Sequence, residues 1–320
     1  MFPPGGGVLA AVSGGADSAA LLQALVLLSE RLDTGSIGVV HVHHGLRGPE
    51  ADRDAALAER LAQSRGLPFF LSRVDAAALA REGGLCVEEA GRNARYAFFE
   101  RVRKEEGFAR VAVAHTADDN AETVLMFLLR GAGPRGLAGI SPLSGNIARP
   151  LLSLSRRHVL DFCAQEGLDF FEDSTNLDLG YLRNRIRREL LPLIARDYNP
   201  AALDSLNRLA SLMREEEDLL ESLVSEALGR ALAARSERAA SLSLQALRRE
   251  HPALRRRMVR AAVALVKGDL RRLSFSHVAA VLALSEGKTT HLPCGVTAQN
   301  SGGLLTIARP ENFKARPGKK

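Results

Sequence analysis

Between residues 8 and 130, short apolar runs alternate with longer segments whose apolar positions recur every three or four residues. The runs Val8–Val12, Ile37–Val42, Phe69–Val74 and Val111–Ala114 are nearly continuous in hydrophobicity, as strands buried on both faces are. Ser18–Leu32, Pro49–Arg65 and Val87–Glu106 carry the helical period between them. Strands and helices in that alternation close through right-handed crossovers into a parallel sheet covered on both faces. The expected fold class is therefore α/β, a doubly wound parallel sheet. Residues 141–152 read as a Pro- and Gly-punctuated connection, with helices near Ser155–Glu166 and Leu182–Ala195 after it.

Asp197-Tyr198-Asn199-Pro200 breaks the pattern and is the expected boundary, dividing the chain into domains 1–199 and 200–320. The second is expected to be mainly helical. One or two long helices span Ala201–Ala234, and shorter ones follow at Leu244–Glu250, Ala253–Val266 and Ser276–Leu284. Thr290–Leu292 and Leu304–Ile307 are expected to form a small hairpin, and residues 310–320 a frayed basic end.

Ligands of open parallel sheets bind beyond the carboxyl ends of the strands. Three polar strings fall there. The first, Ser13-Gly14-Gly15-Ala16-Asp17-Ser18, joins a strand to a helix. Two glycines let the backbone approach a ligand, and the helix start favours an anion. Asp17 beside an anion site needs a divalent cation between them, which points to Mg-bound pyrophosphate and ATP chemistry. The plainer alternative is a tight turn with Ser18 near a helix cap.

His41-Val42-His43-His44-Gly45-Leu46-Arg47 ends the second strand, and His115-Thr116-Ala117-Asp118-Asp119-Asn120-Ala121-Glu122-Thr123 follows the fourth. One aspartate there serves as a helix cap, but two with Glu122 exceed that need and suit Mg or an incoming ammonium. On the helix Val87–Glu106, Arg92 and Arg95 share a face with Glu88 and Tyr96. That is either a solvated ion-pair ladder or an arginine pair aimed at phosphate or substrate.

The Ser-Gly-Gly-Ala-Asp-Ser string resembles the PP-loop of the ATP pyrophosphatase superfamily, with the adenine nucleotide alpha hydrolase-like fold. It is not a Walker loop, for no Lys follows the glycines. With the two histidine-led strings, Glu172-Asp173-Ser174-Thr175-Asn176 and Arg183-Asn184-x-Ile186-Arg187, the chain resembles the tRNA(Ile)-lysidine synthetase family. The likeness is dense over about residues 8–195, and by its extent is to short-form members.

The resemblance implies a ligase. ATP adenylates the wobble cytidine of the CAU anticodon of isoleucine tRNA, and free L-lysine displaces AMP to give lysidine. Decoding then shifts from AUG to AUA. The implied catalytic residues are Asp17, Asp118, Asp119, Arg92 and Arg95. ATP contacts fall to Ser13 through Ser18, His43 and His115, and Mg to Asp17 and Asp118. Arg183, Asn184 and Arg187 are expected on substrate or tRNA.

Charge sharpens the division. Residues 1–199 hold 23 Lys and Arg against 25 Asp and Glu; residues 200–320 hold 20 against 12. The overall net of +6 thus lives in the second part, which suggests a polyanionic partner there. Arg255, Arg256 and Arg257 are the cluster expected on tRNA phosphates.

Cys86, Cys163 and Cys294 have no paired spacing, so neither an iron–sulfur cluster nor a persulfide pair is expected. That argues against the first alternative, a tRNA cytidine thiolase of the same superfamily. A second alternative is a nucleotide-sensing binding module. No apolar stretch reaches the roughly 20 residues of a membrane span, and no leader pattern precedes the first strand. A cytoplasmic location is expected, with a homodimer one open option.

Overall fold

The computed structural model describes residues 1–45, 48–171 and 178–309. Leu46 and Arg47 of the histidine-rich string, the Glu172–Asn176 string and the expected basic end 310–320 lie outside the described residues. Two compact units are present, residues 1–214 and a second beginning at Glu215.

The first unit runs β1 (Val8–Ala11), α1 (Ala16–Leu27), β2 (Ile37–His43), α2 (Pro49–Gln63), β3 (Phe69–Arg73), α3 (Ala76–Gly83), α4 (Val87–Glu105) and β4 (Arg110–Ala112). It continues with α5 (Ala117–Leu129), α6 (Pro134–Leu137), β5 (Leu143–Ser144), β6 (Ile147–Ala148) and α7 (Arg156–Gln165). Then come α8 (Leu182–Arg185), a π-helix (Ile186–Leu190) and α9 (Leu191–Asp197). The strands form one sheet in the order β3-β2-β1-β4-β6-β5. All its pairings are parallel except β5 with β6. The doubly wound α/β sheet expected from the alternating pattern is the observed fold.

Central β1 explains the layering. Successive residues point to opposite faces. Val8 and Ala10 pack into a core with α1 and α2, including Leu21, Leu22 and Leu57. Leu9 joins Val40, Phe98, Phe99 and Val102 on the other side, which α4 covers. The chain winds outward from β1 to β3 and returns to the other flank of β1 at β4. The direction of winding therefore reverses between β1 and β4, where such sheets open a crevice at their carboxyl edge.

Helix α10 (Ala202–Ala231) begins in the first unit and ends in the second, which continues with β7 (Leu232–Arg235), β8 (Ala239–Ser243), α11 (Leu244–Arg249) and α12 (Pro252–Lys267). It closes with α13 (Phe275–Leu282), β9 (Thr289–His291), β10 (Thr297–Ser301) and β11 (Leu304–Ala308). Helices hold most of its ordered residues, but the hairpin expected between Thr290–Leu292 and Leu304–Ile307 does not form: β9 and β11 each pair with β10, between them, in a five-stranded antiparallel sheet, β7-β8-β11-β10-β9. Met258, Val259, Ala262 and Val263 of α12 pack on Leu242, Ala298, Leu305 and Ile307 of that sheet.

Candidate active site

The PP-loop string links β1 to α1 at the reversal point. Its shape is set by its own small residues. Ser13 N–H donates to Ser18 Oγ at 3.0 Å, and Ser18 Oγ–H donates to Gly15 O at 2.8 Å. Gly14 takes φ +94, and a Cβ there would lie 3.0 Å from the Cβ of Asp54. Only glycine fits both the backbone and the space. Gly15 caps α1 with no side-chain acceptor; Ser18 N–H returns to Gly15 O at 3.1 Å, and no capping side chain competes with an anion for the start of the helix.

Asp17 lies in that first turn. Its Oδ2 accepts from Arg156 Nη1 at 2.8 Å; its Oδ1 is buried and has no hydrogen-bond partner among the described residues. Burial pushes its carboxyl above the usual carboxylate range. Arg156 and Arg187 oppose the push, whereas Asp119 and Asp118 add to it. An acid so placed gains by facing a cation. The orphaned oxygen is the feature here that would suit the Mg that the resemblance implies, with Asp17 its principal protein ligand; among the described residues no group of three or more His, Cys, Asp or Glu is gathered to hold a metal.

Asp118 and Asp119 fall on opposite duties. Asp118 Oδ2 accepts from the backbone N–H of Arg156 at 2.7 Å, so the first turn of α7 ties Asp17 to Asp118. Asp119 is the N3 residue of a capping box: its Oδ2 accepts from Thr116 N–H at 2.9 Å, while its own N–H donates to Thr116 Oγ1. Its Oδ1 takes Arg187 Nη2 at 3.1 Å and Arg183 Nη2 at 3.4 Å. With both oxygens engaged, Asp119 is the poorer metal ligand of the two.

Arg183 and Arg187 also meet at Glu122, which is fully buried (0 % exposed). Arg183 Nε donates to Glu122 Oε2 at 2.8 Å, and Arg187 donates to both Glu122 oxygens. The structure thus places these arginines against α5, holding α8 and the π-helix to it. Asn184 Nδ2 donates to Asp178 O at 2.8 Å. A π-turn at Arg187 is consistent with a site that needs a particular side-chain direction.

His115 caps the β4 end of the crevice. Arg149, 7 % exposed, donates Nε–H to His115 Nδ1 at 3.1 Å. A guanidinium can only donate, so the ring proton sits on Nε2. Burial holds the ring's pKa down at about 4; Asp119 opposes this, and Arg149, Arg183 and Arg92 reinforce it. His115 is accordingly a neutral donor at pH 7.

The remaining predicted residues lie along β2 and α4. His43 is buried, with Nδ1 accepting from Gly45 N–H at 3.2 Å and Nε2 3.4 Å from Asp52. The ring that touches the strand leading into the loop is His41, whose Nδ1 donates to Val12 O at 2.7 Å. Arg95 lies 3.2–3.3 Å from His44 Nε2, and exposed Arg92 stands over the Tyr96 ring at 5.0 Å. In the second unit the arginine trio divides. Arg257 forms a bidentate pair with Glu217 (2.7 and 2.6 Å), Arg255 donates to Glu250 O, and Arg256 is exposed.

Arg156, Arg149 and the Asp54 seat under Gly14 were not singled out from sequence. Arg156 stands at a helix start and Arg149 in a connection, positions where a lone Arg is unremarkable. Their partners are 139 and 34 residues away. Burial and long-range pairing would have been the signals, and neither is local.

A parallel sheet, a self-stapled loop at its reversal point and an acid with an orphaned oxygen define a PP-loop protein. The family model for the PP-loop domain matches residues 4–194. A second model, for the TilS substrate binding domain, matches residues 242–297. The tRNA(Ile)-lysidine synthase of Geobacter sulfurreducens is 46% identical over 97% of this chain and 66% of its own length. That of Solibacter usitatus is 39% identical over 99% of this chain and 70% of its own length. This chain belongs to the tRNA(Ile)-lysidine synthase family. It spans about two thirds of the length of the curated relatives it matches.

Among solved structures, the U34-tRNA thiolase NcsA from Methanococcus maripaludis, with its [4Fe-4S] cluster, aligns with a TM-score of 0.55. It is 18% identical, covering 67% of this chain and 74% of its own, a likeness of fold alone. Among the described residues no helix is long and apolar enough to cross a membrane.

Proposed function

We propose that this protein ligates free L-lysine to the wobble cytidine of isoleucine tRNA bearing a CAU anticodon, consuming ATP. The observation that carries the proposal is Asp17, set in an anion-binding loop with one oxygen unpartnered, in a chain 46% identical to a tRNA(Ile)-lysidine synthase. In the first step the cytidine carbonyl oxygen attacks the α-phosphorus of ATP, and pyrophosphate leaves. In the second the lysine amine adds at the activated ring carbon, AMP leaves with the oxygen, and the amine gives up a proton.

The chain's groups suit these steps. Amides of the PP-loop and the α1 start stabilise the departing pyrophosphate. Asp17, with Asp118 beside it, would hold Mg, which when bound neutralises phosphate charge. Arg156 holds Asp17 and Asp118 in register. His115 offers an Nε2–H without bringing charge. Arg92 and Arg95 would serve phosphate or base; Asp119 would take the incoming ammonium only by giving up part of its hold on Thr116, Arg183 or Arg187. Arg183 and Arg187 would frame the substrate side through Glu122, and Asn184 through the Asp178 carbonyl. The second unit would grip tRNA, as its positive balance and the substrate-binding family match suggest.

The thiolase alternative is less supported, because the relatives spanning the chain are named for lysidine formation. The direct test withholds lysine. Chain, ATP, Mg and CAU-anticodon tRNA should release one equivalent of pyrophosphate and then stall. A parallel reaction that also lacks tRNA should release none, and continued ATP turnover there would overturn the adenylated-cytidine step.

A further inference from the structure

Within the second unit, a cavity of about 350 Å³ opens among α11, α12, α13 and the sheet. Its size suits a small planar ligand. Most of its wall is apolar and rich in leucine, but Asn300, 2 % exposed, also lines it. Asn300 Nδ2 donates to Leu284 O at 2.7 Å. Its Oδ1 is buried and has no hydrogen-bond partner among the described residues. A buried acceptor left unsatisfied costs free energy that an N–H donor would recover.

Two features of the lining narrow the ligand. Arg248, Arg255 and Arg256 line the same cavity, so a cationic donor such as a lysine ammonium is repelled. Arg257, the third member of the cluster, is instead paired with Glu217. Phe275, which opens α13, also lines the cavity yet is 72 % exposed, an aromatic face left available to stack. The ligand must therefore be planar, carry a neutral N–H donor and be joined to an anion.

We propose that this cavity receives an unstacked nucleobase of the RNA substrate that bears an exocyclic amino group. The amino group donates to Asn300 Oδ1, the ring stacks on Phe275, and the flanking phosphates meet Arg248 and Arg256. This rests on the proposed function only in taking RNA as the partner.

The sequence contains no tryptophan, so Phe275→Trp installs a single fluorophore at the cavity. The full chain carrying it is titrated with equal-length oligocytidylate and oligouridylate, without ATP or lysine. These differ at C4, amino against carbonyl, and at the adjacent N3, an acceptor in cytidine and an in-ring N–H donor in uridine. Stacking should quench the fluorescence, with cytidylate bound about 10-fold tighter. Asn300→Leu should level that difference, and Arg256→Glu should weaken both by about 5-fold or more. If Asn300→Leu does not fold, the base comparison and Arg256→Glu still decide. Equal affinity for the two oligomers, absent quenching, or indifference to Arg256→Glu would overturn the proposal. Lysidine formation with no cytidylate preference would remove this cavity from the account and leave the reaction standing. A preference without lysidine formation would do the reverse.

Discussion

Ionised Asp17 is held among Asp118 and Asp119 with Arg156 its one hydrogen-bond partner among the described residues, and burial raises its pKa. A raised carboxyl pKa means that the folded state favours the neutral acid, so ionisation at neutral pH subtracts from stability. Asp17→Asn should therefore leave the melting temperature unchanged or raise it, while pyrophosphate release falls by 100-fold or more, on the order of an electrostatic catalytic group. Thermal melts and turnover of the same preparation check both halves. A folded variant with near-normal turnover would remove Asp17 from the chemistry.

His115 makes the opposite contribution. Its folded pKa of about 4 lies below the 6.5 of a free imidazole side chain. Its share of stability is complete above pH 6.5 and is lost as pH falls toward 4, to on the order of 2–3 kcal/mol. Denaturant unfolding across that window should show the loss in the wild type and a flatter profile in His115→Gln. Identical profiles would mean that the ring is not held neutral by its surroundings.

At the scale of elements, α5 binds α8 and the π-helix through two carboxylates, fully buried Glu122 and Asp119. Removing Glu122 leaves Arg183 and Arg187 to share Asp119 alone, with the shorter ion pairs lost. Glu122→Ala should cost about 3–5 kcal/mol, as a broken buried pair does. Urea unfolding measures it, and a loss below about 1 kcal/mol would show that the two arginines re-pair at no cost.

Strands β1 to β4, helices α1, α2 and α4 and the loop were legible in sequence, because each is a local pattern of continuous apolar residues or helical period; α3 was not. The second sheet was not. Thr297-Ala298-Gln299-Asn300-Ser301 has little β-propensity and becomes β10 by pairing with β9 and β11. β5 and β6 are two residues each, too short to show a period. Candidate acids were legible as strings, but which oxygen stays unpartnered depends on Arg156, 139 residues away.

For the whole molecule, charge separates what fold alone does not. The second unit's arginines can attract a polyanion only where they are not already paired. Arg256→Ala should reduce the slope of log affinity for tRNA against log salt by about 0.7–0.9. Arg257→Ala should act mainly on stability, because it strands Glu217. Binding at several salt concentrations, with melts, separates the two. Equal slopes in wild type and Arg256→Ala would place that residue off the RNA.

The central claim is that the loop chemistry of the first unit ends in a bond between lysine and a tRNA base. It is tested by incubating the chain with ATP, Mg, radiolabelled lysine and isoleucine tRNA transcripts whose wobble position is cytidine or uridine. The account predicts label on the cytidine transcript alone, with AMP and pyrophosphate formed in equal amounts. Label on both transcripts, or AMP formed with no lysine incorporated, would contradict it.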